Sequence, residues 1–205
     1  MKFGLKNKKR IIAVLISVIF MGLTVSFLIR INFGTDPCST LNLGVANRLG
    51  ISFGTWQAIF QGILLMFVFL FDRSEIGWGT LANMFLVGYS SDFFTWLFDQ
   101  IIPTDILSDL TVRIIVLVPA LTIFIISAAF YMAVDLGTAP YDAVVFIIAS
   151  KIKKVPFRII RVLWDVTAAA IGFMFGSTLG IVTIVMAFAL GPAITAVKNK
   201  IDRFI

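Results

Sequence analysis

The chain has 205 residues, 60% of them hydrophobic and 14% charged, with 21 Phe, no His and one Cys. A soluble globular chain carries about 45–50% apolar and about 25% charged residues, so this composition leaves too little polar surface for a compact fold in water and places the chain in a bilayer. The lone Cys38 has no partner for an internal disulfide, and the absence of imidazole excludes histidine-based triads and zinc sites.

The net charge of +6, from 17 Lys and Arg against 11 Asp and Glu, reads as basic cytoplasmic loops rather than as a nucleic-acid surface. MKFGLKNKKR precedes an apolar run from Ile11 to Ile29 that ends at Arg30 and Asn32 with no small-residue cleavage site, so it reads as a retained first span. Further apolar stretches run from Trp56 to Phe71, Ile76 to Phe98, Ile114 to Val134, Val162 to Met174 and Leu179 to Val197. Each is long enough, or nearly so, to cross about 30 Å at about 1.5 Å per residue. Two shorter stretches, Cys38 to Leu49 and Tyr141 to Ser150, are too short to span and read as re-entrant or interfacial helices. The fold expected is an all-α polytopic membrane bundle with about six spanning helices and two short ones.

A shift of the sequence against itself by 103 positions superposes Gly34, Thr35 and Pro37 on Gly137, Thr138 and Pro140. It also superposes Gly77, Thr80 and Gly88 on Gly180, Thr183 and Gly191, and Arg10 on Arg113. Gly and Pro recur for backbone reasons, so the chain reads as two tandem repeats, 1–103 and 104–205, joined near Pro103. Equivalent loops differ in charge. The five basic residues of the amino-terminal tail face Asp105, Asp109 and Arg113. The loop with Lys151, Lys153, Lys154, Arg158 and Arg161 faces a nearly bare loop at Arg48, and the tail with Lys198, Lys200 and Arg203 faces Asp99. Under the positive-inside rule this points to inverted copies with both termini cytoplasmic. A parallel arrangement, in which the short helices also span, places the termini on the same side.

The two GTxP turns, with Asn32, Asp36, Asp135 and Asp142 about them, carry the candidate chemistry. Gly permits a sharp change of direction, Thr can cap the following helix, and Pro suits its first turn. Two geometries fit. In one the turns dip inward and present helix amino termini to an anionic or polar solute; in the other they are compact surface turns. Arg161 and Asp165, four apart, share a helix face and can pair, as a tie between helices or as part of a site. Gln57, Gln61, Asn83 and Asp92 are polar residues within spans that line a cavity or bond helix to helix. Small residues Gly77, Gly79, Gly88, Ala187, Ala189 and Gly191 read as close-packing positions, and Trp56, Trp78 and Trp96 as interface anchors. The site residues expected are therefore Gly34, Thr35, Asp36, Pro37, Gly137, Thr138, Pro140, Asp142, Arg161 and Asp165, with no catalytic, cofactor or metal residues.

The stretches GTDP, LNLG, LGISFGTWQ and GWGTLANMFLVGYSSD, then GTAPYDA, RVLWD and LGIVTIVMAFALGPAI, resemble in order the bacterial YczE-like membrane proteins, related to the wider YitT and YyaS group. Cys38 stands where family members often carry an aromatic residue, and Asp165 where they often carry Glu. The resemblance implies an integral inner-membrane protein. Intramembrane charge and paired broken helices point to a small-solute transporter or permease-like protein. A membrane scaffold or regulatory protein acting through a partner is the alternative, and an enzyme is not expected. The partners expected are the lipid bilayer and a small solute, with a protein partner or homo-oligomer also open.

Overall fold

The computed structural model describes residues 5–201 apart from 104, 105 and 108; the charges counted at Lys2, Asp105 and Arg203 lie outside the described residues. The chain is all-helical: α1 (Leu5–Ile31), α2 (Pro37–Leu49), α3 (Phe53–Phe71), α4 (Trp78–Ala82), α5 (Gly88–Ile101), α6 (Leu110–Val134), α7 (Pro140–Lys151), α8 (Phe157–Met174) and α9 (Ile181–Ile201). A π-helical turn over Asn83–Val87 joins α4 to α5, so 78–101 is one rod with a bulge.

Four helices, Lys8–Ile31, Phe53–Phe71, Leu110–Val134 and Ile181–Ile201, are long and apolar enough to cross a membrane. Of the six expected stretches, the other two are atypical, because 78–101 carries the bulge and α8 carries Arg158, Arg161 and Asp165. Large apolar side chains point outward all round the bundle, among them Met174 at 82% exposure, Leu70 at 75% and Ile181 at 69%. A soluble monomer does not leave such a face to water, and lipid tails cover it at no cost. The protein is an integral membrane protein.

The helix ends follow local chemistry. Asp36, not Thr35, caps α2 by accepting from the Ser39 N–H at 3.0 Å, while the Thr35 hydroxyl turns to Thr40 at 3.0 Å. The helix stops at Gly50, whose left-handed φ of 67° lets its N–H reach the Ala46 and Asn47 carbonyls. Ser52 caps α3, which therefore starts three residues before Trp56. Asp72 accepts from the Ser74 N–H (3.0 Å) and hydroxyl (2.6 Å), and these bonds hold its carboxyl below the usual carboxylate range. The turn so formed carries Glu75, which takes the Thr138 hydroxyl at 2.5 Å and the Thr138 N–H at 2.9 Å.

The two segments interlock through contacts that recur at a shift of 103. Arg10 donates to the carbonyls of Val134 (3.0 Å) and Asp135 (3.0 Å), and Arg113 to those of Ile31 (2.7 Å) and Asn32 (3.3 Å). The Gly79 N–H donates to Leu136 at 2.7 Å, and the Val182 N–H to Phe33 at 3.1 Å. Each pair of partners is the other pair exchanged. The first two contacts place the start of α1 beside the end of α6 and the start of α6 beside the end of α1, so these helices run antiparallel. Their shared apolar seam includes Val25, Leu28, Ala120 and Phe124.

Gly34 and Gly137, at φ of 90° and 108°, occupy conformations that disfavour side chains, and each nests against the other segment. A Cβ on Gly34 would lie 2.3 Å from the Thr183 hydroxyl, and one on Gly137 2.6 Å from the Thr80 hydroxyl. Gly180 is tighter still, its Cβ position lying 1.9 Å from the Phe33 carbonyl. Gly191, in contrast, meets nothing within 4 Å, so the expected close approach is absent there. Gly180→Ala is therefore expected to destabilise the protein by about 1–3 kcal/mol through overpacking. Gly191→Ala should change stability by no more than about 1 kcal/mol, the helix-propensity difference. Thermal unfolding of the two detergent-solubilised variants measures the contrast.

Candidate functional site

Each short helix lies along a long helix of the other segment. Gly44 of α2 abuts Gly172 of α8, and in α7 the Tyr141 N–H donates to Gln61 of α3 at 3.1 Å while Lys151 sits over the Phe71 ring at 4.3 Å. Both short helices therefore start inside the bundle, and they leave toward opposite ends. Their starts meet at a cavity of about 80 Å³ lined by Asp36, Pro37 and Ser39 from one turn and by Ala139, Tyr141 and Asp142 from the other. Gln57 and Gln61 of α3, Asn83 of the π turn, and Arg161 and Asp165 of α8 complete its polar wall. Met21, Val25, Phe124 and Leu190 form an apolar wall.

Arg161 organises the charges. Its guanidinium donates to Asp165 Oδ2 at 2.9 Å and pairs with Asp142, and Tyr141 Oη donates to Asp165 Oδ1 at 2.8 Å. The pair four residues apart therefore forms, and it also ties α8 to α7. Asp165 is 1% exposed. At such burial an unpaired carboxylate is costly, so the guanidinium and phenol compensate it.

Of the ten expected site residues, Asp36, Pro37, Asp142, Arg161 and Asp165 line the cavity. The other five do not. Gly34 and Gly137 are consumed by contact with the opposite segment, Thr35 bonds to Thr40, Thr138 bonds to Glu75, and Pro140 opens α7. These residues build the turn that aims the next residues inward. Asp92, one of the polar span residues, caps a helix start by accepting from the Gly54 N–H at 2.9 Å. The amino termini of both short helices already hold acceptors from the protein itself. Asp36 occupies the start of α2, and Gln61 the start of α7. Sequence reasoning missed Tyr131 and Tyr141 because they read as apolar filling. The only available signal was the Tyr-Asp pair following GTAP.

A second groove of about 510 Å³ lies between α7, α8 and α9 and shares Met132, Asp142, Arg161 and Ile194 with the cavity. The Arg161 ion pairs form the wall between the two spaces. Removing the guanidinium strands both carboxylates, so Arg161→Gln is expected to cost about 3–5 kcal/mol, the range for breaking a buried pair. Asp142→Asn leaves the Arg161–Asp165 pair intact and should cost clearly less. Denaturation midpoints of the two variants in detergent check the order.

Residues 8–199 match the profile of DUF6198, described as a family of unknown function. An "Uncharacterized protein" of Haemophilus influenzae is 22% identical over 195 residues, covering 95% of this chain and 86% of that protein. The "Uncharacterized membrane protein YczE" of Bacillus subtilis is 29% identical over 118 residues, 58% of this chain and 52% of that protein. "Uncharacterized protein YyaS" of the same organism is 25% identical over 139 residues, 68% of each. No solved structure matches. With these likenesses spread along an all-helical, lipid-faced chain, the protein belongs to the DUF6198 family and is YczE-like.

Proposed function

We propose that the protein is a small-solute transporter or permease-like protein of the bacterial inner membrane, not an enzyme. It is read as two inverted copies of one unit, 1–103 and 104–205, with the solute site in the cavity between the GTxP turns. One observation carries the reading: helix starts from both segments converge on a cavity with three carboxylates and one guanidinium, in a chain otherwise faced with hydrocarbon. Ionisable groups at membrane depth are costly and mark solute or ion paths. Discontinuous helices meeting near the bilayer midplane are the usual way for a secondary transporter to build such a site.

The inverted arrangement is supported by the antiparallel α1 and α6 and by the exchanged contacts of Arg10 and Arg113. Exchanged contacts are the mark of a twofold relation, and an antiparallel pair puts its axis across the helices. In this reading 78–101 and α8 span alongside the four apolar helices, with the charges of α8 turned inward, and α2 and α7 are re-entrant. Lys8, Lys9, Lys151, Lys153, Lys154 and Arg158 gather at the end of the bundle that holds Arg10. The positive-inside rule puts that end, with both termini, in the cytoplasm. The groove between α7, α8 and α9 carries Arg158 and Asn199 at the same end and supplies the way in. The sequence has no GxxxxGK[ST] loop, so transport is secondary or needs an energising partner.

Proteoliposomes screened with small charged and neutral solutes should give saturable flux for at least one, and that solute should slow modification of cavity-lining Cys38 by a small thiol reagent. A broad panel that gives neither flux nor protection of Cys38 overturns the transporter reading, and a stoichiometric partner cross-linked at Lys153 would then favour a scaffold. For topology, single cysteines at Lys153 and Asp109 in a Cys38→Ser chain should react from opposite sides of the membrane. Reaction of both from one side overturns the inversion.

A further inference from the structure

We infer that the cavity takes a small primary ammonium, with the positive charge on Asp36 and a short carbon stem against the apolar wall. The inference rests on the transporter reading and adds the class of solute. Its starting point is Asp36, which is 7% exposed and lines the cavity, and whose two carboxylate oxygens differ. Oδ1 caps α2, whereas Oδ2 is buried and accepts no hydrogen bond among the described residues. A buried acceptor without a hydrogen-bond partner is costly, which leaves Oδ2 open to a donor that enters the cavity.

The surrounding charges choose the sign of that donor. The cavity holds Asp36, Asp142 and Asp165 against Arg161 alone, and Arg161 is engaged by Asp142 and Asp165. An anion entering here meets an excess of carboxylates, and the two helix starts that would favour it are occupied by Asp36 and Gln61. A divalent metal needs several free oxygen ligands of high charge. With Asp142 and Asp165 held by Arg161, a single free carboxylate remains. An ammonium is different: its three N–H groups can be divided between Asp36 Oδ2 and the side-chain amides of Gln57 and Asn83, which are 3% and 5% exposed and line the same cavity.

Size and the opposite wall choose the remainder of the solute. A volume of about 80 Å³ is well below the roughly 150 Å³ cavity that accepts benzene, so only a few heavy atoms fit. Met21, Val25, Phe124 and Leu190 face the polar wall and suit a short alkyl stem better than a hydrated ion.

The test measures thermal stabilisation and flux of the purified full chain with methyl-, ethyl-, propyl- and butylammonium. Sodium, acetate, propionate and neutral amides of matching size serve as comparators. Short alkylammonium ions should stabilise saturably, with Asp36→Asn weakening the effect by at least tenfold, the equivalent of one charged hydrogen bond. Asn keeps the Oδ1 that caps α2, and Asn83→Asp, which adds an unpaired carboxylate to the same cavity wall, should tighten ammonium binding even if Asp36→Asn fails to fold. If acetate or a neutral amide binds and protects Cys38 while ammonium ions do not, the transporter reading stands and the ammonium assignment falls. A response to sodium alone, or an ammonium response unchanged in both variants, also overturns the assignment. Silence across the whole panel likewise overturns the assignment, while the transporter reading is decided by the broad flux and Cys38-protection screen.

Discussion

A guanidinium from each segment closes the open helix end of the other, and the bundle depends on that exchange. The last carbonyls of α1 and α6 have no partner within their own helices. Arg113 satisfies the first set and Arg10 the second. With the ends closed, the left-handed residues that follow, Asn32 and Asp135, can turn the chain back into the bundle. The glycines after them then pack against the starts of α9 and α4, and α2 and α7 begin inside the bundle rather than at its surface.

Several contacts of the frame recur at a shift of 103, but the cavity residues do not. Asp36 corresponds to Ala139, Gln61 to Trp164, Arg161 to Ala58 and Asp165 to Gly62. Backbone positions that fix the turns are matched, whereas side chains that face the cavity differ. One segment contributes the free carboxylate and the amides, and the other contributes the ion-paired cluster. A frame held by backbone contacts tolerates such differences, because the groups that hold it are not the groups that line the cavity.

Much of this was legible in the sequence where punctuation is strong. Pro37 and Pro140 marked the starts of the short helices to within a residue, and the Arg161–Asp165 spacing foretold the pair. Composition placed the chain in lipid. Three things were hidden for physical reasons. Thr35 and Asp36 are both competent caps, and only the backbone path decides between them. The π turn at Asn83–Val87 changes the hydrogen-bond register without any change of residue type, so the letters offered Asn83 as a cavity residue or a helix tie without deciding between them. Tyr131 and Tyr141 serve as wall and proton donor although their rings count as apolar.

The crossed closure has a consequence for synthesis. When the ribosome has delivered α1 to the membrane, the Ile31 and Asn32 carbonyls still await a donor that lies 82 residues further along the chain at Arg113. The end of α1 is therefore sealed only once the start of α6 has been made, so the native form of the early segment waits on the arrival of the later one.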